Sequence, residues 1–203
     1  LFRSPFFTAN NLALVLFDFS RNGIAAATDT EITDEKQFAD NSISDELEDL
    51  KELCIYIKEN NNSLGLNIDN IYLLGHSRGA SLSLIFASQH EFVAKTVLWA
   101  PVADLVSMYR KLGVEQWKAN GYAEVQNKRT GQVLKMKYDF WEDLIQNKEA
   151  YDVVQCAAML NSDLLLIHGT RDESVPVSDS AKIYEACLHS IFVEIEGADH
   201  TFG

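Results

Sequence analysis

Short runs of apolar residues recur along the chain, and each is followed by a polar or glycine-containing turn. Four runs rich in branched side chains occupy residues 12–17, 71–74, 96–99 and 164–167, and a fifth, weaker run occupies residues 191–195. Continuous apolar runs of this length are typical of strands that are buried on both faces of a sheet. The pattern therefore predicts five buried strands.

Between these runs, apolar residues follow the spacing of a helix. Residues 44–60 carry apolar side chains at intervals of three and four, and Ser44 and Asp45 are suited to begin a helix there. Residues 78–89 are rich in Ala, Leu and Ser, and residues 178–188 give a third helical pattern. Because strands alternate with helices, we predict an α/β fold with a doubly wound, mostly parallel sheet.

Residues 104–151 interrupt this alternation, because they contain no buried-strand run. Seven aromatic residues are interleaved with charges in this insertion: Tyr109, Trp117, Tyr122, Tyr138, Phe140, Trp141 and Tyr151. Residues 122–125 and 133–138 flank a polar segment whose Gly131 allows a turn, so a small hairpin is predicted. The aromatic residues form either a small core of the insertion or the lining of a substrate pocket, and the sequence leaves both alternatives open.

Composition and charge exclude several classes of protein. A chain of 203 residues with 47% hydrophobic and 23% charged residues is suited to one soluble domain, which we expect to span residues 1–203. The 30 acidic and 17 basic side chains give a formal net charge of -13, which opposes binding to nucleic acid and to anionic membrane surfaces. The longest apolar runs are too short to cross a bilayer, so no membrane span is expected.

The cysteines and the start of the chain give weaker indications. Cys54, Cys156 and Cys187 are odd in number and lack CxxC spacing, so we expect buried apolar residues and no disulfide framework. No two histidines have a helical ligand spacing such as HxxxH, so no metal is expected. No signal-peptide pattern follows Leu1, and the default expectation is a cytoplasmic protein whose true N-terminus precedes this residue.

The strongest chemical signal is the sequence Gly-His-Ser-Arg-Gly at residues 75–79, between the predicted strand 71–74 and the predicted helix. A nucleophilic serine must be held out of the strand on a sharp turn. Flanking glycines allow that turn and let the helix pack close behind it. The pentapeptide alone occurs by chance, but its position between strand and helix makes Ser77 the candidate nucleophile.

A serine hydroxyl is a weak nucleophile at neutral pH, so it needs a base and a group that orients the base. Asp172 lies just past the predicted strand 164–167, and His200 lies just past the predicted strand 191–195. Catalytic groups in open α/β sheets gather at the C-terminal ends of the strands. We therefore expect both residues to meet Ser77, and the order Ser, Asp, His is the order that this architecture uses.

These motifs resemble the α/β-hydrolase superfamily, in particular bacterial esterases of the dienelactone-hydrolase and cinnamoyl-esterase type. Residues 17–23 resemble the motif of strand four, residues 75–79 the nucleophile elbow, residues 168–176 the acid loop and residues 197–202 the histidine loop. The resemblance implies the α/β-hydrolase fold. It also implies that the insertion is the variable lid that follows the sixth strand in this family.

The same resemblance assigns roles to individual residues. It implies that Ser77 is the nucleophile, Asp172 the acid and His200 the base, with the backbone N–H of Arg78 as one oxyanion donor. The Arg78 side chain is expected to be solvated or salt-bridged, and a role in binding a carboxylate is the alternative. If the lid lines the site, Trp117 and Trp141 are the candidate substrate-binding residues.

Three departures from the family pattern stand out. The second oxyanion donor of the family follows strand three and is usually marked by His-Gly, and nothing of that kind precedes Leu12. Strand three also lies between strands four and five, so residues 12–17 and 71–74 would lack the strand that joins them. Gly203 comes before the helix that normally follows the histidine loop. We therefore expect these residues to belong to a longer protein.

Other residues compete for the catalytic roles. Four histidines are more simply structural: His76, His90, His168 and His189. Glu173 and Asp199 neighbour the proposed acid and base, and Asp104 is an alternative acid position in the family.

The expected activity is hydrolysis of a small carboxylic ester through an acyl-enzyme, without a cofactor. A serine peptidase or thioesterase on the same fold is the alternative, and a non-catalytic binding protein is a third hypothesis.

Overall fold

The computed structural model describes residues 4–25, 31–66, 68, 70–127 and 130–203. The helices are α1 Ser4–Ala9, α2 Glu35–Ala39, α3 Ile43–Leu64, α4 Arg78–Gln89, α5 Leu105–Arg110, α6 Val114–Asn120, α7 Tyr138–Gln146, α8 Val153–Met159 and α9 Val177–Ala186. The strands are β1 Ile71–His76, β2 Val93–Trp99, β3 Tyr122–Gln126, β4 Val133–Lys137, β5 Asp163–Gly169 and β6 Ser190–Ile195.

The main sheet contains four strands in the order β1-β2-β5-β6, and every neighbouring pair is parallel. Parallel neighbours need a crossover connection, and α4 joins β1 to β2 while α9 joins β5 to β6. Because all four strands run the same way, their C-terminal ends lie at one edge of the sheet. The predicted α/β fold with a parallel sheet is confirmed.

Helix α4 lies at the centre of the core. Its residues from Ala80 to Ala87 are all buried, and Leu84 and Ile85 expose none of their surface. A helix buried on nearly all sides needs apolar and small residues around its whole circumference, which explains its Ala, Leu and Ser content. Its bounds agree with the predicted helix at residues 78–89.

Helix α3 is longer than the apolar pattern predicts. It begins one residue before Ser44, because Ser42 is the N-cap and its side chain accepts a hydrogen bond from the Asp45 backbone N–H. It continues to Leu64, where Gly65 adopts a left-handed conformation with φ 66° and ends the helix. The predicted end at residue 60 is too early, because the polar residues of the last turn continue the helix without an apolar stripe.

The 104–151 segment contains α5, α6, a β-hairpin and α7. Strands β3 and β4 pair antiparallel, from Tyr122 opposite Lys137 to Gln126 opposite Val133, so the predicted hairpin is confirmed. Residues 128 and 129 of its predicted turn lie outside the described residues. The side chain of Gln132 binds both backbone groups of Ile32, accepting from the N–H at 3.0 Å and donating to the carbonyl at 2.9 Å. These bonds join the hairpin to the chain that precedes α2.

The aromatic side chains of this segment pack on one another. Trp117 is 1% exposed and Trp141 is 7% exposed, and their ring centroids lie 6.2 Å apart. The indole N–H of Trp117 donates to the Met136 carbonyl at 2.9 Å. Tyr109 and Phe140 form a second close pair, with ring centroids 4.6 Å apart. Burial of this extent favours a small core over a pocket lining for Trp117 and Trp141.

The prediction of a buried strand at residues 12–17 is wrong. These residues form no strand in the described structure, and Leu16 and Phe17 are 66% and 40% exposed. A strand requires a neighbour for its backbone N–H and C=O groups, and β1 pairs with β2 along only one of its edges. The apolar run indicates a segment suited to burial but does not provide the strand that would lie between it and β1.

Strand β6 confirms the weaker prediction at residues 191–195, but it is not buried on both faces. Ile191, Val193 and Ile195 are all exposed. Because alternate residues of a strand point to the same face, one face of this edge strand is open.

We expect Trp117→Ala to lower the free energy of unfolding by about 3–5 kcal/mol, because it leaves a cavity and removes the buried hydrogen bond from the indole N–H to the Met136 carbonyl. Trp117→Phe should cost less, since it keeps most of the apolar contact. Urea unfolding followed by circular dichroism measures both. The exposed Tyr56 provides the control, and Tyr56→Ala should change stability by no more than about 0.5 kcal/mol. Unchanged stability combined with weaker binding of aryl esters would instead assign Trp117 to a pocket.

Candidate active site

Ser77 occupies the sharp turn between β1 and α4. Its backbone has φ 57° and ψ -127°, a conformation that residues other than glycine rarely adopt. The Ser77 N–H donates to the carbonyl of Trp99, at the end of β2, over 2.8 Å. This bond fixes the turn to the neighbouring strand and holds the strained residue at the C-terminal edge of the sheet.

The two glycines that flank the turn differ in importance. A Cβ atom on Gly75 would lie 2.4 Å from the Gly79 carbonyl oxygen, so no other residue fits between the strand and the start of the helix. A Cβ atom on Gly79 would meet nothing within 4 Å. The close approach of helix and strand therefore depends on Gly75, which refines the expectation that both glycines are needed.

Asp172 lies on the loop that follows β5. Its side chain has no exposed surface, and its Oδ1 accepts hydrogen bonds from the backbone N–H groups of Ser174 at 2.8 Å and Val175 at 2.9 Å. These two bonds fix the direction of the carboxylate and leave Oδ2 to face His200.

The acid loop and the histidine loop contact each other through their backbones. A Cβ atom on Gly169 would lie 2.2 Å from the Ala198 carbonyl oxygen, so glycine is required at the end of β5. The same carbonyl accepts from the Arg171 N–H at 3.0 Å, and the Gly197 N–H donates to the Thr170 hydroxyl at 2.9 Å. The two loops therefore form one unit.

His200 lies between the other two candidate residues. Its Nδ1 is 2.6 Å from Asp172 Oδ2, and its Nε2 is 3.0 Å from Ser77 Oγ. An ionised carboxylate can only accept, so Nδ1 carries the proton. The lone pair of Nε2 is then directed at the serine hydroxyl. The structure thus brings together the three side chains that the sequence indicated.

The pKa of Asp172 is lower than its ordinary value. Burial alone would raise the pKa, but the hydrogen bonds from the Val175 N–H, His200 and the Ser174 N–H outweigh burial. The carboxylate is therefore ionised at neutral pH, as a group that orients a histidine must be.

His76 contacts the histidine loop from the other side. Its Nε2 donates to the His200 backbone carbonyl at 2.8 Å, and the two imidazole rings have centroids 4.7 Å apart. Burial lowers the pKa of His76 more than this hydrogen bond raises it, so the ring stays neutral near neutral pH. No sequence pattern connects His76 with the candidate base, because the two residues are far apart along the chain.

Arg78 is the first residue of α4, and its backbone N–H is one of the groups that a helix start leaves without an intrahelical acceptor. Its side chain forms a two-pronged ion pair with Glu46 of α3, at 2.5 Å and 2.7 Å. Glu46 is 1% exposed and also accepts from the Asn41 side chain. The expected salt-bridged arginine is present, and its partner was not identified from the sequence.

The competing acidic residues bind other groups or are exposed to solvent. Asp104 caps α5 by accepting from the Ser107 N–H at 2.8 Å, and Asp199 accepts from the Thr201 N–H within its own loop. Glu173 is exposed. Among the other histidines, His90 stacks on Phe86 with ring centroids 3.9 Å apart, and His189 is exposed.

Within the described parts of the chain, no group of three or more His, Cys, Asp and Glu side chains could hold a metal ion. None of the helices described is both long enough and apolar enough to cross a membrane.

The parallel sheet, its crossover helices and the turn that carries Ser77 define the fold of the α/β-hydrolases. Residues 32–187 match the family model BD-FAE. The match covers well over half of the chain, so this chain belongs to the BD-FAE family. Among curated protein sequences, none matches it significantly.

Solved structures of several esterases have the same fold. Est1E from Butyrivibrio proteoclasticus is 20% identical, with a TM-score of 0.64, over 80% of this chain and 64% of that protein. Est1E has also been solved with ferulic acid bound. The esterase domain of a Rhodothermus marinus protein is 21% identical, with a TM-score of 0.55, over 77% of this chain and 61% of that one.

Mouse alpha/beta hydrolase domain-containing protein 10 is 21% identical, with a TM-score of 0.59, over 80% of this chain and 63% of its own. At these identities the likeness shows the fold alone. By the coverages given above, the chain spans less than two thirds of the length of each of the three solved structures.

We expect His76→Gln to flatten the dependence of stability on pH below about pH 6.5. The folded protein disfavours protonated His76, so the unfolded chain binds more protons in this range and stability falls as the pH falls. Glutamine keeps a donor for the His200 carbonyl but does not titrate. Urea unfolding between about pH 7.5 and about pH 5 tests this. Substitution of the exposed His189 is the control. If the His76→Gln variant keeps the wild-type slope of unfolding free energy against pH, the argument is contradicted.

Proposed function

We propose that this chain carries the catalytic residues of a carboxylic ester hydrolase that acts through an acyl-enzyme on Ser77. The observation that carries the proposal is the continuous set of contacts from Asp172 Oδ2 to His200 Nδ1 at 2.6 Å and from His200 Nε2 to Ser77 Oγ at 3.0 Å. Membership of the BD-FAE family and the shared fold with several esterases support the same activity.

In the first half of the reaction, Ser77 Oγ attacks the carbonyl carbon of the ester while His200 Nε2 takes the hydroxyl proton. The tetrahedral intermediate collapses, the carbon–oxygen bond to the alcohol breaks, and His200 returns the proton to the departing oxygen. Asp172 remains ionised and stabilises the imidazolium that forms between these steps. Water then attacks the acyl-enzyme with His200 as base, which releases the acid and restores Ser77.

The negative charge on the carbonyl oxygen needs a donor close to Ser77. We propose the backbone N–H of Arg78, because it adjoins the nucleophile and stands at the positive end of the α4 dipole. The ion pair with Glu46 supports this role, because it fixes the residue that carries the N–H and keeps its guanidinium out of the substrate site.

We propose a substrate class on the basis of the same relatives. Ferulic acid bound to Est1E supports an ester of a small aryl acid as substrate. We propose that residues 104–151 act as a lid beside the site. The burial of Trp117 and Trp141 indicates that these two rings hold the lid together from within and that other residues face the substrate.

Ser77→Ala should abolish ester hydrolysis, lowering kcat by about 10⁴- to 10⁶-fold, because it removes only the attacking oxygen. It should also abolish labelling by a fluorophosphonate probe. Turnover of p-nitrophenyl acetate and of a feruloyl ester measures the effect in the intact protein. The control is Ser63→Ala at an exposed position of α3, which should keep wild-type rates.

Asp172→Asn should lower kcat by at least about a hundredfold, because the amide cannot hold the histidine in the required tautomer. Near wild-type hydrolysis by the Ser77→Ala variant would contradict the assignment of Ser77 as nucleophile. An inactive Ser77→Ala variant together with an active Asp172→Asn variant would contradict only the assignment of Asp172 as the acid. If the protein cleaves a thioester or an amide but neither the feruloyl nor the acetyl ester, the proposed ester substrate is wrong and the proposed catalytic residues are retained.

A further inference from the structure

A second histidine side chain lies beside the carboxylate of Asp172. His168, in β5, exposes none of its surface, and its Nε2 lies 3.2 Å from Asp172 Oδ2 and 3.0 Å from the Val175 carbonyl oxygen. Its Nδ1 lies 2.7 Å from the hydroxyl of Ser180 on α9, which is also fully buried. Both ring nitrogens of this histidine therefore have polar partners inside the protein.

These partners decide which nitrogen carries the proton. The Val175 carbonyl can only accept a hydrogen bond, so Nε2 must be the donor, and this N–H group lies beside the Asp172 carboxylate. In a neutral ring Nδ1 then accepts from the Ser180 hydroxyl. Ser180 thus fixes the tautomer in which His168 donates to the acid loop.

The buried carboxylate accepts three hydrogen bonds and lies beside a fourth polar group. Oδ1 accepts from the Ser174 and Val175 N–H groups, Oδ2 accepts from His200, and His168 Nε2 lies 3.2 Å from Oδ2. A buried charge is costly unless such donors replace water. Loss of the His168 ring removes both the polar group beside Oδ2 and the donor that holds Val175, so the carboxylate can turn about its bond to Cβ.

His168 also binds the loop that presents the acid. The Val175 N–H donates to the Asp172 carboxylate, and the Val175 carbonyl accepts from His168. Both backbone groups of this loop residue are therefore hydrogen-bonded. Because His168 belongs to the rigid sheet, these contacts fix the acid loop to β5.

We propose that His168 is a positioning residue for the reaction, which holds the carboxylate of Asp172 so that Oδ2 faces His200. Ser180 acts one step further out by holding His168 in the donating tautomer. The proposal rests on the proposed function, since a position for Asp172 matters only if His200 serves Ser77 as base.

The test is a double-mutant cycle in which kcat is measured for each variant. Rates are normalised to the concentration of active sites that a fluorophosphonate probe labels. His168→Phe keeps a flat ring but removes the donor, and it should lower kcat for p-nitrophenyl acetate by about ten- to a hundredfold with KM changed less than about twofold. In an Asp172→Ala background the same substitution should lower the rate by less than about twofold, because no carboxylate remains to be held.

Two further variants separate positioning from packing. His168→Gln has an amide that can replace the Nε2 donor, and it should recover most of the loss. His90→Phe is the matched control, because that half-buried histidine stacks on Phe86 at the far end of α4, away from Asp172, and it should lower stability without lowering kcat. If His168→Phe does not fold, Ser180→Ala provides the milder test and should show a severalfold loss that also vanishes in the Asp172→Ala background.

An equal loss in the presence and absence of the Asp172 carboxylate would overturn the proposal, because His168 would then be a core residue alone. Unchanged kcat in both His168→Phe and Ser180→Ala would overturn it as well. These outcomes differ from failure of the proposed function, which would appear as activity that survives Ser77→Ala.

Discussion

The candidate site depends on the burial of one charged group, the Asp172 carboxylate. A carboxylate without exposed surface must receive hydrogen bonds from the protein, or its charge is lost. Two backbone N–H groups of its own loop and the His200 ring supply them, and the His168 ring lies 3.2 Å from Oδ2. The loop, the sheet and the histidine loop must therefore all be in place before the acid can remain ionised.

The same demand explains the glycine at the end of β5. The acid loop and the histidine loop approach so closely that Gly169 has no room for a Cβ atom beside Ala198. A larger residue would separate the loops and lengthen the contact between Asp172 and His200. Backbone packing at this point sets the distance on which the proposed proton transfer depends.

The sequence predicted the elements whose pattern is local. The bounds of α4, the hairpin and the positions of Ser77, Asp172 and His200 at strand ends all follow from the spacing of apolar residues, glycines and turns. The failed strand at residues 12–17 shows the limit, because a strand exists only with a hydrogen-bonded neighbour and no local pattern names that neighbour.

The contacts of Arg78 with Glu46 and of His168 with Asp172 escaped prediction for two different reasons. The first joins residues that are far apart in sequence and meet only when α3 packs beside α4. The second joins residues four apart, but on a strand and a loop whose local geometry no periodicity describes. A buried polar residue at the end of a strand was the only available signal.

The turn at Ser77 stores backbone strain that the surrounding structure must offset. A residue other than glycine with φ 57° costs on the order of 1–3 kcal/mol, and it persists only where neighbours hold it. On one side the Trp99 carbonyl accepts its N–H, so β2 holds the start of the turn.

On the other side, the Arg78 guanidinium is paired with the buried Glu46 and lies beside Tyr109 of α5. These contacts fix the first turn of α4 to α3 and to the 104–151 segment. Because Arg78 follows Ser77 directly, a shift of that segment would act on the backbone N–H that we assign to the oxyanion. The proposed lid and the nucleophile are therefore connected through the Arg78 side chain, which contacts Tyr109 of that segment and pairs with Glu46 of α3.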